Sequence, residues 1–312
     1  MSIWNVPKKL AYALFVAGDA RLGEDARPAL SAVLEALAKG PPPAVALREW
    51  IVEYGRMGTL SIESLRSQLP SQELGGIVAT AGEDERLERA TNAMLVAAAD
   101  GAAIDPRSPW GLLVLAATMA SASGGVVYDS GTQRLVPKWI LENPLDGFML
   151  GSIKNHIAIL SSTDAAGLQR TTTLGLNKYG LFELELAGMP ANTGNIGTLL
   201  AGLTQAVVDA RPTVAGPWDV PPEFNVTRLH VAHAFANELA SKLASKLGGH
   251  AGLSVREKIP GDVYWCVVSP DGQADEVVVR ETLIALGIGN SGGDGAVGVG
   301  VGDAADSAQP AR

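Results

Sequence analysis

Residues 170–186 read Arg-Thr-Thr-Thr-Leu-Gly-Leu-Asn-Lys-Tyr-Gly-Leu-Phe-Glu-Leu-Glu-Leu. The β-branched run Thr171 to Thr173 favours an extended chain, because such side chains pack well on a pleated surface. In the second half, Glu183 and Glu185 alternate with Leu184 and Leu186, the period of a strand with one wet and one packed face. Between the halves, Asn177-Lys178-Tyr179-Gly180 makes a connection longer than a two-residue hairpin turn. The stretch therefore predicts an antiparallel hairpin, 170–176 against 181–186.

Working downstream, Ile196, Leu199, Leu200, Leu203 and Val207 form a helical stripe, with Asn192 or Thr193 as its cap. Residues 212–222 read as a loop carrying Trp218. A second helix is expected over 228–247, with Leu229, Ala232, Ala236, Leu239, Leu243 and Leu247 on its buried side. Strands at 254–259 and 263–269 flank a Pro260-Gly261-Asp262 turn, and 275–286 reads as a last helix.

Upstream of the hairpin, a strand is expected near 156–160. At the start of the chain, 10–16 reads as a strand. A helix with Pro28 in its first turn and Leu30, Val33, Leu34 and Leu37 on one face follows, and Gly40 to Pro43 stops it. Residues 44–54 suit either helix or strand, and 61–69 reads as a short helix. A strand at 93–99 leads to a helix over 110–122, introduced by Ser108-Pro109 and apolar nearly all round, then a strand at 126–128. This order predicts an α+β protein of two ferredoxin-like, split βαβ α/β sandwich segments with antiparallel or mixed sheets. The segments are 1–135 and 153–288, with a connector at 136–152. A Gly-rich tail, 289–312, is expected to be disordered.

The bulk properties narrow the function. The chain has 312 residues and a net charge of −9, from 24 basic and 33 acidic side chains. An acidic surface repels phosphate backbones, so nucleic-acid binding is not expected. The charged share is 18%, below the roughly 25% of an average soluble chain. A single cysteine, Cys266, permits no internal disulfide and fits a reducing compartment, so a cytoplasmic location is expected. Lys8-Lys9 before an apolar run mimics a signal peptide, but the alternation of Leu10, Tyr12, Leu14 and Val16 reads better as a strand. The 110–122 helix falls short of the ~20 residues a membrane span needs.

The run Thr173-Leu174-Gly175-Leu176-Asn177-Lys178-Tyr179-Gly180-Leu181-Phe182-Glu183-Leu184-Glu185-Leu186 resembles a signature of the bacterial domain-of-unknown-function family 4261. Gly124-Gly125-Val126-Val127-Tyr128-Asp129 and Thr132-Gln133-Arg134-Leu135 are similar to the same proteins, so the resemblance covers about 90–210. It implies an α+β fold and accessory or interaction roles, in some cases beside toxins. It carries over no catalytic residue.

Candidate chemistry is thin. Gly289-Asn290-Ser291-Gly292-Gly293 is similar to a serine-protease nucleophile loop, but too little chain follows it to complete such a barrel. His230 and His233 share a helix face without a recognisable third metal ligand, and His156 and His250 are isolated. Glu183 and Glu185 are spaced as paired carboxylates can be, yet alternating glutamates on a half-exposed strand are ordinary solvation. Gly287 to Gly302 lacks a phosphate-binding pattern. No catalytic residue, metal ligand or cofactor is assigned. The expectation is a non-enzymatic binding or accessory protein, an immunity or neutralising partner of a toxin or secreted effector being its concrete form. Its partner is another protein, with a basic one favoured by the charge, and its contact surface is Arg170, Lys178, Tyr179, Glu183 and Glu185. Two rivals stand beside it: an enzyme using His156, Arg170, Lys178, Tyr179 and Glu183, and a self-assembling structural homo-oligomer.

Overall fold

The computed structural model describes residues 2–7, 14–19, 26–56, 60–65, 85–86, 89–98, 105, 107–145, 152–190, 193, 195–235, 250–257, 264–268, 276–286 and 288. Strand β1 (Ser2–Val6) is followed by β2 (Leu14–Gly18), α1 (Ala26–Ala38) and α2 (Pro42–Arg56). Prolines in the first turn suit α2, and Leu47, Trp50 and Ile51, spaced by three and four, are its buried face. That settles the open reading of 44–54 as helix.

Strands β3 (Leu60–Leu65) and β4 (Asn92–Ala98) come next. The short helix expected over 61–69 is corrected by β3; Leu60-Ser61-Ile62-Glu63 alternates with period two, a strand's signature. Helix α3 (Ser108–Ala122) is buried from Ser108 to Ala120, as an all-apolar helix must be. Ser108 is its first residue and makes no side-chain cap. Strands β5 (Val126–Asp129) and β6 (Arg134–Leu135) complete a sheet of order β3-β4-β2-β5-β6. Both β4 and β5 run antiparallel to β2, which lies between them, and α3 connects them. That is a split βαβ unit, as expected. Helix α3 packs on β2, β4 and β5 and on α1 and α2, building a core around Trp50, Trp110, Val16 and Val127. Within the predicted connector, α4 (Lys138–Glu142) adds Ile140 and Leu141 to that core.

The second sheet has six strands: β7 (Ala158–Thr163), β8 (Leu168–Leu174), β9 (Glu183–Pro190), β11 (Phe224–Thr227), β12 (His250–Glu257) and β13 (Tyr264–Val268). Their order is β11-β12-β13-β9-β8-β7. The β13–β9 pair is parallel and its other neighbours are antiparallel, so the sheet is mixed. Helix α5 (Ile196–Ala210) packs on β7, β8 and β9, burying the predicted stripe; Asn195 is its N-cap residue, without a side-chain cap bond. The 228–247 helix is described as α6 (Arg228–Ala234). Leu229, expected on its buried side, is 44% exposed. Val231 instead meets Gly202 of α5, where a Cβ would lie 2.6 Å from its methyl carbon. Helix α7 (Glu276–Ala285) packs on β12. The expected tail, 289–312, lies outside the described residues, as does the 260–262 turn.

The loop expected at 212–222 is also corrected. It contains β10 (Gly216–Val220), paired antiparallel with β1, with Trp4 opposite Trp218. The chain's first strand thus belongs with the second core. Trp4 donates its indole N–H to the Gly180 carbonyl at 2.8 Å and meets Phe182 and Trp265 edge-on at 5.3 and 6.2 Å. Phe182 and Trp265 stack at 4.0 Å. No helix among the described residues is long and apolar enough to cross a membrane.

Candidate functional site

The predicted contact residues lie on or beside the 170–186 hairpin, whose two strands form as expected. Its connection is a 3₁₀ turn, Leu176–Tyr179, bracketed by Gly175 and Gly180 at φ +111° and +72°. Gly175 also lies so close to the 156 backbone that a Cβ would sit 2.6 Å from the His156 oxygen.

The turn aims Lys178 inward. Its ammonium forms an ion pair with Asp129, at the end of β5, and donates to the His156 carbonyl at 2.8 Å. Both side chains are nearly inaccessible, at 2% and 4% exposure. Asp129 is held in turn by the Gly131 N–H at 2.9 Å. Burial pulls the Lys178 ammonium below its usual range, and the Asp129 charge opposes that shift. The pair ties the first sheet to the hairpin of the second.

Beside it, the His156 ring stands edge-on to Trp110 of α3 at 4.6 Å and to Tyr179 at 6.5 Å. Tyr179 donates to the Ser152 carbonyl at 3.4 Å, and the Arg211 guanidinium lies 5.4 Å from its ring centre. Burial, helped by the Lys178 charge, holds His156 well below its ordinary value, so the ring is neutral. Its Nε2 is buried and, among the described residues, has no hydrogen-bond partner. Unfolding releases a histidine that takes up a proton below about pH 6.5, while the folded ring stays neutral. The unfolded state then binds more protons, so stability falls as pH falls through this window. His156→Gln is expected to flatten the loss between pH 6.5 and 5 by up to about 1.4 kcal/mol per pH unit, read by urea unfolding at each pH. An unchanged slope would show that the ring is not held neutral.

The expectation that Glu183 and Glu185 line a wet face is corrected, since both are buried, at 8% and 1% exposure. Glu183 folds back to accept from the Thr173 hydroxyl at 2.7 Å and from the Gly175 and Leu176 N–H groups at 2.8 and 2.9 Å. Burial raises its carboxyl above the ordinary range, against the pull of these bonds. Glu185 accepts from Arg170 Nε at 2.7 Å. Of the five predicted contact residues, Arg170 alone reaches solvent, at 52% side-chain exposure, and Lys178, Tyr179, Glu183 and Glu185 are interior. The hairpin thus brings the residues together but turns most of them inward.

His230 and His233 lie 3.9 Å each from one Asp209 oxygen. His230 closes a capping box: its N–H donates to Thr227 Oγ1 at 3.3 Å and its Nδ1 accepts from the Thr227 N–H at 3.0 Å. An accepting Nδ1 places the ring proton on Nε2, the nitrogen facing Asp209, which suits a cap rather than a metal ligand. Burial lowers the His230 pKa, with Asp209 opposing. No group of three or more His, Cys, Asp or Glu among the described residues is arranged to hold a metal. His250 lies opposite Thr227 in the β11–β12 register, and Cys266 lies in β13. Ser291 and its glycine neighbours fall outside the described residues.

A feature without a sequence motif stands at the sheet's end. Strand β7, Ala-Ile-Leu-Ser-Ser-Thr, pairs with β8 on one side and, among the described residues, with nothing on the other. Leu160 to Thr163 are exposed. Edge strands are ordinarily blunted by charge, proline or shortness. β3 carries Glu63, β11 has four residues, β6 two, and β10 a proline and an aspartate; β7, with six residues, and β1, with five, have neither charge nor proline. The signal for it was the absence of charge over 157–163, which means nothing until the sheet order is known. Compared with known proteins, the chain matches no family model, no curated protein and no solved structure.

Proposed function

We propose that this chain is a non-enzymatic binding protein that engages another polypeptide by strand addition along β7. One observation carries the reading: a six-residue sheet edge that is uncharged, free of proline and exposed from Leu160 to Thr163. Such an edge offers a row of backbone donors and acceptors to an extended partner. The groups that would serve chemistry at the hairpin, Lys178 and Glu183, are tied to partners inside the chain, which favours binding over catalysis. A net charge of −9 draws a basic partner at long range. A neutralising or immunity role beside a toxin is the form this takes with a cationic partner in the cytoplasm. Kinship with family 4261 belongs to the same proposal. Support comes from the two stretches that carry the resemblance, which meet through the Lys178–Asp129 pair.

The test is capture of partners by tagged chain from its own cells, comparing the native protein with Leu160→Lys. Leu160 is 49% exposed, so the substitution spares the core. A stoichiometric polypeptide held by the native chain and lost at least tenfold with the variant is the expected result. Capture indifferent to Leu160→Lys would sink strand addition at this edge.

A further inference from the structure

We infer that the seam between the two cores is a pH-sensitive clasp, closed while the His156 ring is neutral and opened by its protonation, with each half still folded. The inference does not depend on β7, so it and strand addition stand or fall separately.

Three observations converge on the seam. First, the halves are built separately. Among the described residues their apolar cores share no side chain, one being drawn from 14–145 and the other from 153–288 with Trp4. No strand of the five-stranded sheet pairs with one of the six-stranded sheet. Units with separate cores move relative to one another unless a large apolar interface holds them.

Second, the seam closes on a charge pair. Lys178 of one half meets Asp129 of the other. A Cβ at Gly131 would lie 2.5 Å from Lys178 Cε, and one at Gly175 would lie 3.0 Å from Thr132 Cγ2, so two glycines let the halves approach closely here.

Third, His156 stands where it cannot hold a proton. It is 2% exposed, edge-on to Trp110 of the opposite half at 4.6 Å and to Tyr179 of its own at 6.5 Å. Its carbonyl already accepts the Lys178 ammonium at 2.8 Å. The titratable and charged groups around it are accounted for. The turn brings Lys178 and Tyr179; β5 brings Asp129, committed to Lys178 and the Gly131 N–H; β6 brings Arg134, opposite Asp129. β9 brings Glu183, bound to the turn's N–H groups, and Arg211 lies over Tyr179, beside Asp105 and Asp209. Of these charges, that of Lys178 acts on the ring, and it opposes a second cation. An imidazolium N–H at Nε2 would find no acceptor among the described residues.

Parting the halves frees the ring to titrate near its ordinary value, about 6.5, while the closed seam keeps it neutral. The open form then binds the extra proton, so the closed-to-open ratio falls by up to about tenfold for each pH unit below 6.5.

The test is small-angle X-ray scattering of the full chain between about pH 7.5 and 4.5, with far-ultraviolet circular dichroism beside it. The native radius of gyration is expected to rise as the pH falls below about 6 while the dichroism holds. His156→Gln is expected to stay compact over the same range. His156→Asn repeats that comparison should the glutamine variant lose its dichroism. His156→Arg, charged at every pH, is expected to be extended already at neutral pH. A native radius that does not change would overturn the inference. So would a rise that coincides with loss of dichroism, which is unfolding rather than parting. Opening of His156→Gln at the native pH would assign the change to a carboxylate such as Asp129 and would also overturn it, as would a His156→Arg variant that is compact.

Discussion

Lys178→Met is expected to cost about 3–5 kcal/mol of folding stability, the largest single-residue loss anticipated outside the apolar cores. The substitution keeps the side chain to within one atom of its length and removes its charge. Asp129 is then left 4% exposed without its ion-pair partner, and only the charge of Arg134, opposite it in the β5–β6 register, still acts on the carboxylate. The native pair is not itself expected to contribute that much, because both ions were stripped of water to form it. The cost lies in stranding one of them. Lys178→Met combined with Asp129→Asn is therefore expected to recover much of the loss, since an asparagine oxygen still accepts the Gly131 N–H at the same place. Urea unfolding of the two variants decides the matter. A loss below about 1 kcal/mol in the single variant would mean that water reaches the pair.

The second large effect is expected from Trp4→Ala, at about 2–4 kcal/mol, somewhat under the usual figure for a wholly buried tryptophan because Trp4 is half-buried. Three things leave together: the indole N–H bond to Gly180, the edge contacts with Phe182 and Trp265, and the packing that holds β1 on β10. Trp4→Phe keeps the ring contacts and loses the hydrogen bond, and should cost about 1–2 kcal/mol. Thermal melts of both variants supply the check. Equal melting temperatures for Trp4→Ala and the native chain would show that the first strand contributes nothing to the second core.

The parts of the fold that could be read from sequence are those whose pattern is local. The stripe of α5 and the enclosed α3 each declare themselves within fifteen residues. Strand β10 does not, because its reason for being extended is β1 at the other end of the chain. Alternation at Glu183 and Glu185 identified the strand and misjudged its environment. The rule assumes water on the polar face, whereas here Glu183 caps its own turn and Arg170 covers Glu185. Within residues 170–185, Lys178 becomes intelligible only with Asp129, 49 residues earlier, beside it. Which strand forms an open edge depends on sheet order, and no window of sequence carries that.

The ribbon of β1 and β10 imposes a timetable. Trp4 and Trp218 face one another across about 210 residues of chain. At roughly 5–20 residues per second on the ribosome, the first strand waits some 10–40 s before its mate is made. Phe182 emerges during that wait, and Trp265 only after β10 itself. Strand β1 is thus made long before it can find its place, and Trp4 goes without its cross-strand mate while the intervening chain is built.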